Sequence, residues 1–205
     1  MTLWLVRHGV TAHNAGTPGA ERIRGWSPVG LAPEGRAMAT RVGEALKPHP
    51  PAVIFTSDLP RARETADLVA QALGGDVPVV PLAELRTWHV GSLSGQTLAA
   101  AKPALDRLQH TRPDEAAPRG GESYHDFFDR WGRLQAGLRA LGQTHDVLAV
   151  VHGRHLWALP AHLAGRGSAG VPTSGGPAPG DVLAVDEPRK RLVPVHRSGV
   201  TQNAS

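Results

Sequence analysis

The reactive side chains of this sequence cluster where apolar runs break off. Leu3-Trp4-Leu5-Val6 is a short apolar run, and Arg7-His8-Gly9 follows it at once. Such a run reads as a buried strand. Gly9 permits a tight turn or a close approach of backbone to ligand. Open α/β sheets bind ligands at the carboxyl ends of their strands, so Arg7 and His8 are expected at the mouth of a cleft. Arginine offers a planar fork of donors, and a neutral imidazole nitrogen can attack phosphorus. Together they suit a phosphoryl group. A second apolar run, Asp146 to Val151, ends in His152-Gly153-Arg154-His155 and repeats this logic. A third, Ala52 to Thr56, leads into Ser57-Asp58-Leu59-Pro60-Arg61. Asp58 is expected to cap the next helix. Arg61 then falls in its first turn, at the donor-rich end that attracts anions.

Holding these groups together requires strands that alternate with helices. A helix is expected over about 33–47, with Ala37, Val42, Ala45 and Leu46 on its apolar face. The Arg61 helix continues to about Leu73 and stops at Gly74-Gly75. Val77 to Leu82 reads as a short edge strand, because prolines interrupt it. Short helical pieces follow over 97–109. Phe127, Trp131, Leu134, Leu138 and Leu141 keep helical spacing within a helix over about 123–141. A helix over about 156–163 and a hairpin formed by Asp181–Asp186 and Leu192–Val195 complete the series. Residues 15–30 and 165–180 are loops rich in Gly, Pro and Ser. The first carries Arg22, Arg24 and Trp26, which either touch a substrate or are solvated. The pattern predicts an α/β fold, a three-layer sandwich whose mostly parallel central sheet is flanked by helices. One domain is expected over 1–197, with an excursion at about 84–122 and a flexible tail over 198–205.

Composition narrows the function. The absence of cysteine excludes disulfides, thiolate metal sites and a cysteine nucleophile. Neither a secretory leader nor a membrane-length apolar run is read, so a cytoplasmic protein is expected. The net charge of +4 is mild and mixed along the chain. No basic block with interleaved aromatics points to nucleic acid, and a basic cleft for small anions is the better reading. The expected partner is a small phosphorylated substrate, with no nucleic acid and no membrane, and the chain is expected as a monomer or homodimer.

Three separated segments then agree. Arg7-His8-Gly9 with Thr11 and Asn14 resembles the R-H-G-x-T-x-x-N opening of the histidine phosphatase superfamily, the phosphoglycerate-mutase-like proteins. Ser57 to Arg61, with Ala62, Thr65 and Ala66, resembles that family's S-x-L-x-R-A-x-x-T-A segment, and Val151-His152-Gly153 its second-histidine strand end. Gly25-Trp26, Pro33-Glu34-Gly35 and Gly121-Glu122-Ser123 also fit, so the resemblance covers nearly the whole chain. It implies a phosphohistidine mechanism. His8 would be the nucleophile, and Arg7, Arg61 and His152 would hold the phosphoryl group, with Asn14 as a further donor. No cofactor or metal is implied, because two guanidinium groups can supply the positive charge.

One slot departs from the family. Its proton donor usually sits in L-x-E-x-x-x-G, and with Gly91 as the glycine that slot holds Thr87. Threonine is no general acid near neutral pH. Glu84, three residues upstream, is the expected replacement. Glu122 is the other carboxylate, on the substrate side of the site or as a helix-capping group, and His89 is a third candidate. The expected function is a metal-independent phosphomonoesterase. A phosphoglycerate mutase, or a phosphate-binding module of the same fold with little turnover, is the alternative.

Overall fold

In a computed structural model, residues 1–13, 21–172 and 176–198 are described. Asn14 and the tail beyond Ser198 lie outside these residues. Six strands form one sheet: β1 (Leu3–Arg7), β2 (Val53–Thr56), β3 (Val79–Pro81), β4 (Val147–Val151), β5 (Val182–Asp186) and β6 (Arg191–His196). Their order is β3-β2-β4-β1-β5-β6. The first four of these neighbours run parallel, while β5 is antiparallel to both β1 and β6. The fold is therefore the mixed α/β sandwich that the alternating pattern predicts.

Strand alternation makes three layers. In β1, Leu3 and Leu5 join one apolar cluster, and Trp4 and Val6 join the other. Helices α1 (Pro33–Leu46) and α2 (Pro60–Leu73) cover the Trp4 face. On the Leu5 face lie α4 (Tyr124–Gly142) and α5 (Gly153–Leu163), with α3 (Leu98–Asp106) and its π-helical extension Arg107–Thr111. No helix among the described residues is long and apolar enough to cross a membrane.

Several local expectations shift. Helix α1 buries Gly35, Met38, Ala39, Val42, Gly43 and Leu46, while Ala37 and Ala45 face solvent. Small residues at 35, 39 and 43 set this rotation, because they let α1 sit close to its neighbours. A Cβ on Gly43 would stand 2.5 Å from the Ala72 Cβ. Leu59, not Asp58, is the N-cap of α2, and no side chain caps it. The Asp58 carboxylate instead pairs with Arg86. Helix α5 begins three residues earlier than expected, at Gly153, which brings His155 into it.

The turn after β1 is held by two glycines in mutual contact. A Cβ on Gly9 would lie 2.5 Å from the Gly35 carbonyl oxygen, and one on Gly35 would lie 2.1 Å from the Val10 oxygen. Gly35→Ala is expected to cost about 1–3 kcal/mol of stability through this overpacking, and to displace His8-Gly9 with a loss of activity. Urea unfolding measures the first effect; a variant with unchanged midpoint and slope would contradict the packing described.

Candidate active site

The backbone brings the cations to one end of the sheet. β1 and β4 are paired in register, Arg7 opposite Val151, and the His8 N–H donates to the Val151 carbonyl at 3.0 Å. His8 and His152 thus leave adjacent parallel strands at the same level. Their ring centroids are 5.0 Å apart, edge to face. Both are buried, as are Arg7 and Arg61.

Each group has a physical anchor. The His8 Nδ1–H donates to the Gly9 carbonyl at 2.8 Å. A carbonyl can only accept, so the neutral ring keeps its lone pair on Nε2. His152 Nε2 shares a 2.9 Å hydrogen bond with the Ser57 hydroxyl. Arg7 donates through Nη1 to the Pro177 carbonyl at 2.9 Å, and its guanidinium packs over Gly153, where a Cβ would meet Cζ at 3.4 Å. Arg61 uses Nη2 on the Gly25 carbonyl at 2.7 Å and Nη1 on that of Ser27 at 3.2 Å. Its Nε is buried and has no partner among the described residues. Thr65, one turn on in α2, accepts from the Gly9 N–H at 3.2 Å and donates to the Arg61 carbonyl at 2.7 Å.

Electrostatics set the protonation states. Burial, followed by the charges of Arg61, Arg24 and Arg7, holds the His8 ring well below the usual histidine range. Burial and Arg61 do the same to His152. His155, under the Trp131 and Phe127 rings, is also depressed, by burial and then by Arg130. Burial and the charge of Arg24 lower Arg7 and Arg61 to about 9, which leaves both charged at neutral pH. The pocket therefore sets neutral imidazoles beside fixed cations. Such an arrangement is chemically suited to a phosphoryl dianion and to attack on it by an imidazole.

None of the expected proton donors is hydrogen-bonded to His8, His152, Arg7 or Arg61 in the bonds found among the described residues. Glu84 sits on an exposed 3-10 turn, and it is its backbone carbonyl that the structure uses, as an acceptor for Arg130. The Glu122 carboxylate accepts from Arg130 at 2.7 Å and from the His89 N–H at 2.9 Å. It steadies the 86–91 segment. The His89 ring is stacked on Trp26, with centroids 4.2 Å apart, and Arg86 covers the same indole. Thr87, in the family's acid slot, is buried and lends its carbonyl to the Trp26 indole N–H at 2.7 Å. Arg24, expected either to touch a substrate or to be solvated, and His13, which carried no expectation, both act on this pocket. Arg24 acts electrostatically on both imidazoles and both arginines, and His13 feels Arg24, Arg22 and Arg61. Their positions next to Asn14 and to Gly25-Trp26 were the available signal.

The family model of the histidine phosphatase superfamily (branch 1) matches residues 3–186. Glucosyl-3-phosphoglycerate phosphatase of Mycolicibacterium vanbaalenii is 33% identical over 183 residues, spanning 85% of this chain and 79% of that protein. The 2,3-bisphosphoglycerate-dependent phosphoglycerate mutase 2 of Gloeobacter violaceus is 39% identical over 156 residues, 70% of this chain and 69% of its own. A solved mycobacterial glucosyl-3-phosphoglycerate phosphatase superposes with a TM-score of 0.72 at 30% identity, covering 89% of this chain and 88% of its own. The chain belongs to the histidine phosphatase superfamily. Within it, the chain is a phosphatase, a hydrolase of phosphoric monoesters.

The three depressed imidazoles have a consequence for stability. In the unfolded chain they protonate near their ordinary value of about 6.5, whereas the folded protein keeps them neutral. Below that pH the unfolded state binds more protons, so stability falls as pH falls. The melting temperature is expected to drop between pH 7 and 5.5. Saturating inorganic phosphate should lessen the drop, since an anion favours the protonated ring. A melting temperature flat across that window would contradict the buried neutral histidines.

Proposed function

We propose that this protein is a metal-independent phosphomonoesterase that works through a phosphohistidine on His8 Nε2. The observation that carries this reading is the His8 ring itself. It is buried and neutral, its Nδ1–H is tied to the Gly9 carbonyl, and the charges of Arg7, Arg24 and Arg61 surround it.

In the first step the Nε2 lone pair forms the N–P bond, and the P–O ester bond breaks. Arg7 and Arg61 offset the charge on the equatorial oxygens, with His152 beside them and Asn14 as a further donor. In the second step water attacks phosphorus, the N–P bond breaks, and phosphate leaves with the ring restored. The guanidinium groups supply the positive charge that a metal would otherwise provide. The cytoplasm, where small phosphorylated metabolites are abundant, suits such a substrate.

The proton for the leaving oxygen is assigned to water or His89, because Thr87 stands in the acid slot, Glu84 is exposed and the Glu122 carboxylate is bonded to Arg130 and the His89 N–H. The related mutase is the second reading. Phosphate release in the absence of any acceptor separates hydrolysis from transfer.

Four measurements test the proposal. With no added metal, p-nitrophenyl phosphate should be hydrolysed, and His8→Ala should reduce this to background. Acid-labile phosphate trapped on the parent protein should map to His8; label on another residue would overturn the mechanism. General acids contribute about a hundredfold or more, so aryl phosphates should outpace alkyl phosphates by on the order of that factor. Glu84→Gln should change neither substrate by more than about threefold. A selective loss on alkyl phosphates would restore Glu84 as the proton donor.

A further inference from the structure

Asp181 is the only carboxylate buried among the described residues, and the phosphoryl chemistry gives it no role. Its oxygens accept from the Ala178 N–H at 2.9 Å, the Ser198 N–H at 2.9 Å and the Ser198 hydroxyl at 3.1 Å. A carboxylate only accepts, whereas an amide must also donate, so this set of donors fits the acid.

The bond to Ala178 reaches the pocket, because that N–H and the Pro177 carbonyl belong to one peptide group. The Pro177 carbonyl is the acceptor for Arg7 Nη1 at 2.9 Å. A peptide group is planar and rigid, so the carboxylate that holds its N–H also aims its carbonyl. Hydrogen bonds in series polarise one another, and an anion on the N–H side makes the carbonyl a better acceptor. The same turn closes on itself and on the strand. The Asp181 N–H donates to the Ala178 carbonyl at 3.1 Å, and the Gly180 N–H donates to the Arg7 carbonyl at 2.9 Å. Arg7 is thus gripped at its backbone and its side chain by one turn. Ser198, two residues beyond β6, packs on that turn, since a Cβ on Gly180 would lie 3.3 Å from the Ser198 Cβ.

The charges that face Arg7 agree with this placement. Burial and the charge of Arg24 lower it, and Glu21 and Asp181 oppose them. Glu21 is exposed and felt weakly through water, while Asp181 is buried. The His8 ring, which feels Arg7, is held neutral.

We infer that Asp181 is a positioning residue for the reaction: through the Pro177–Ala178 peptide, and braced by Ser198, it aims the Arg7 guanidinium at the phosphoryl group. The inference rests on the reading of Arg7 as a phosphoryl ligand given above.

The probe is inorganic phosphate, with affinity read by calorimetry across the alkaline range in which Arg7, at about 9, loses its proton. Asp181→Asn keeps the side-chain shape and removes the charge and one acceptor. Near neutral pH it should weaken phosphate binding by about tenfold, the scale of a charge-assisted contact, and lower kcat/KM for p-nitrophenyl phosphate with it. Arg7 binds the anion while protonated, and without the carboxylate it releases its proton more readily. The alkaline loss of affinity should therefore begin at lower pH in Asp181→Asn than in the parent. A merely structural carboxylate would lower the melting temperature and leave that limb in place. Ser198→Pro removes two of the three donors outside the sheet and keeps the carboxylate, and it should weaken phosphate binding by about threefold. An unmoved alkaline limb in Asp181→Asn overturns the inference. So does a phosphate affinity unchanged in Ser198→Pro, which decides the matter should Asp181→Asn fail to fold. A parent protein that binds phosphate yet hydrolyses no ester would instead count against the phosphatase reading alone.

Discussion

Like charges repel, and this site gathers Arg7, Arg24 and Arg61 around two buried imidazoles. Most of the local structure answers that repulsion. The answer uses backbone carbonyls more than carboxylates. Pro177 takes Arg7, while Gly25 and Ser27 take Arg61. Carbonyl dipoles fix a guanidinium in place without neutralising it, so the positive field survives for a substrate. Carboxylates at the same positions would hold the arginines as firmly and would cancel the field. The imidazoles respond to the same field. Cations beside a buried ring disfavour its protonation, and a nucleophile must be unprotonated.

The carboxylates are spent one layer out. Glu122 joins Arg130 to the His89 backbone, and Asp58 holds Arg86 over Trp26. Trp26 in turn donates to the Thr87 carbonyl. This shell joins the strap at 22–27 to the segment at 86–89, and so fixes the side of the pocket opposite the strands. Acidic residues here orient the elements that carry the cations.

What was legible in the sequence follows from this division. Arg7, His8 and His152 sit at strand ends, where a short apolar run fixes both the element and the exit point, so local pattern suffices. Arg61 is placed by a helix start that Pro60 and the glycine stop both signal. Arg24 and His13 lie on irregular chain, held by the bonds of Arg61 to Gly25 and Ser27 and of the Arg22 N–H to His13, which no local pattern encodes. Glu84 is the opposite case. Its spacing from the acid slot is suggestive, yet a 3-10 turn points that position to solvent. The face of α1 is only partly legible, because hydrophobic spacing weighs alanine above glycine. Close helix contact selects Gly35 and Gly43 for their lack of a side chain. Asp58 had cap chemistry but found a stronger partner in Arg86.

The position of β1 in the sheet has a consequence for biosynthesis. The strand that leads into Arg7-His8 pairs with β4 and β5, and Arg7 takes the Gly180 N–H on its carbonyl and donates to Pro177 from its side chain. A ribosome moving at about 5–20 residues per second needs on the order of ten seconds to travel from Leu3 to Val147. During that time His8 is attached to an apolar strand without its sheet neighbours. The earliest-made part of the site is thus among the last to be assembled. Its exposed edge is a ready target for chaperones until β4 emerges.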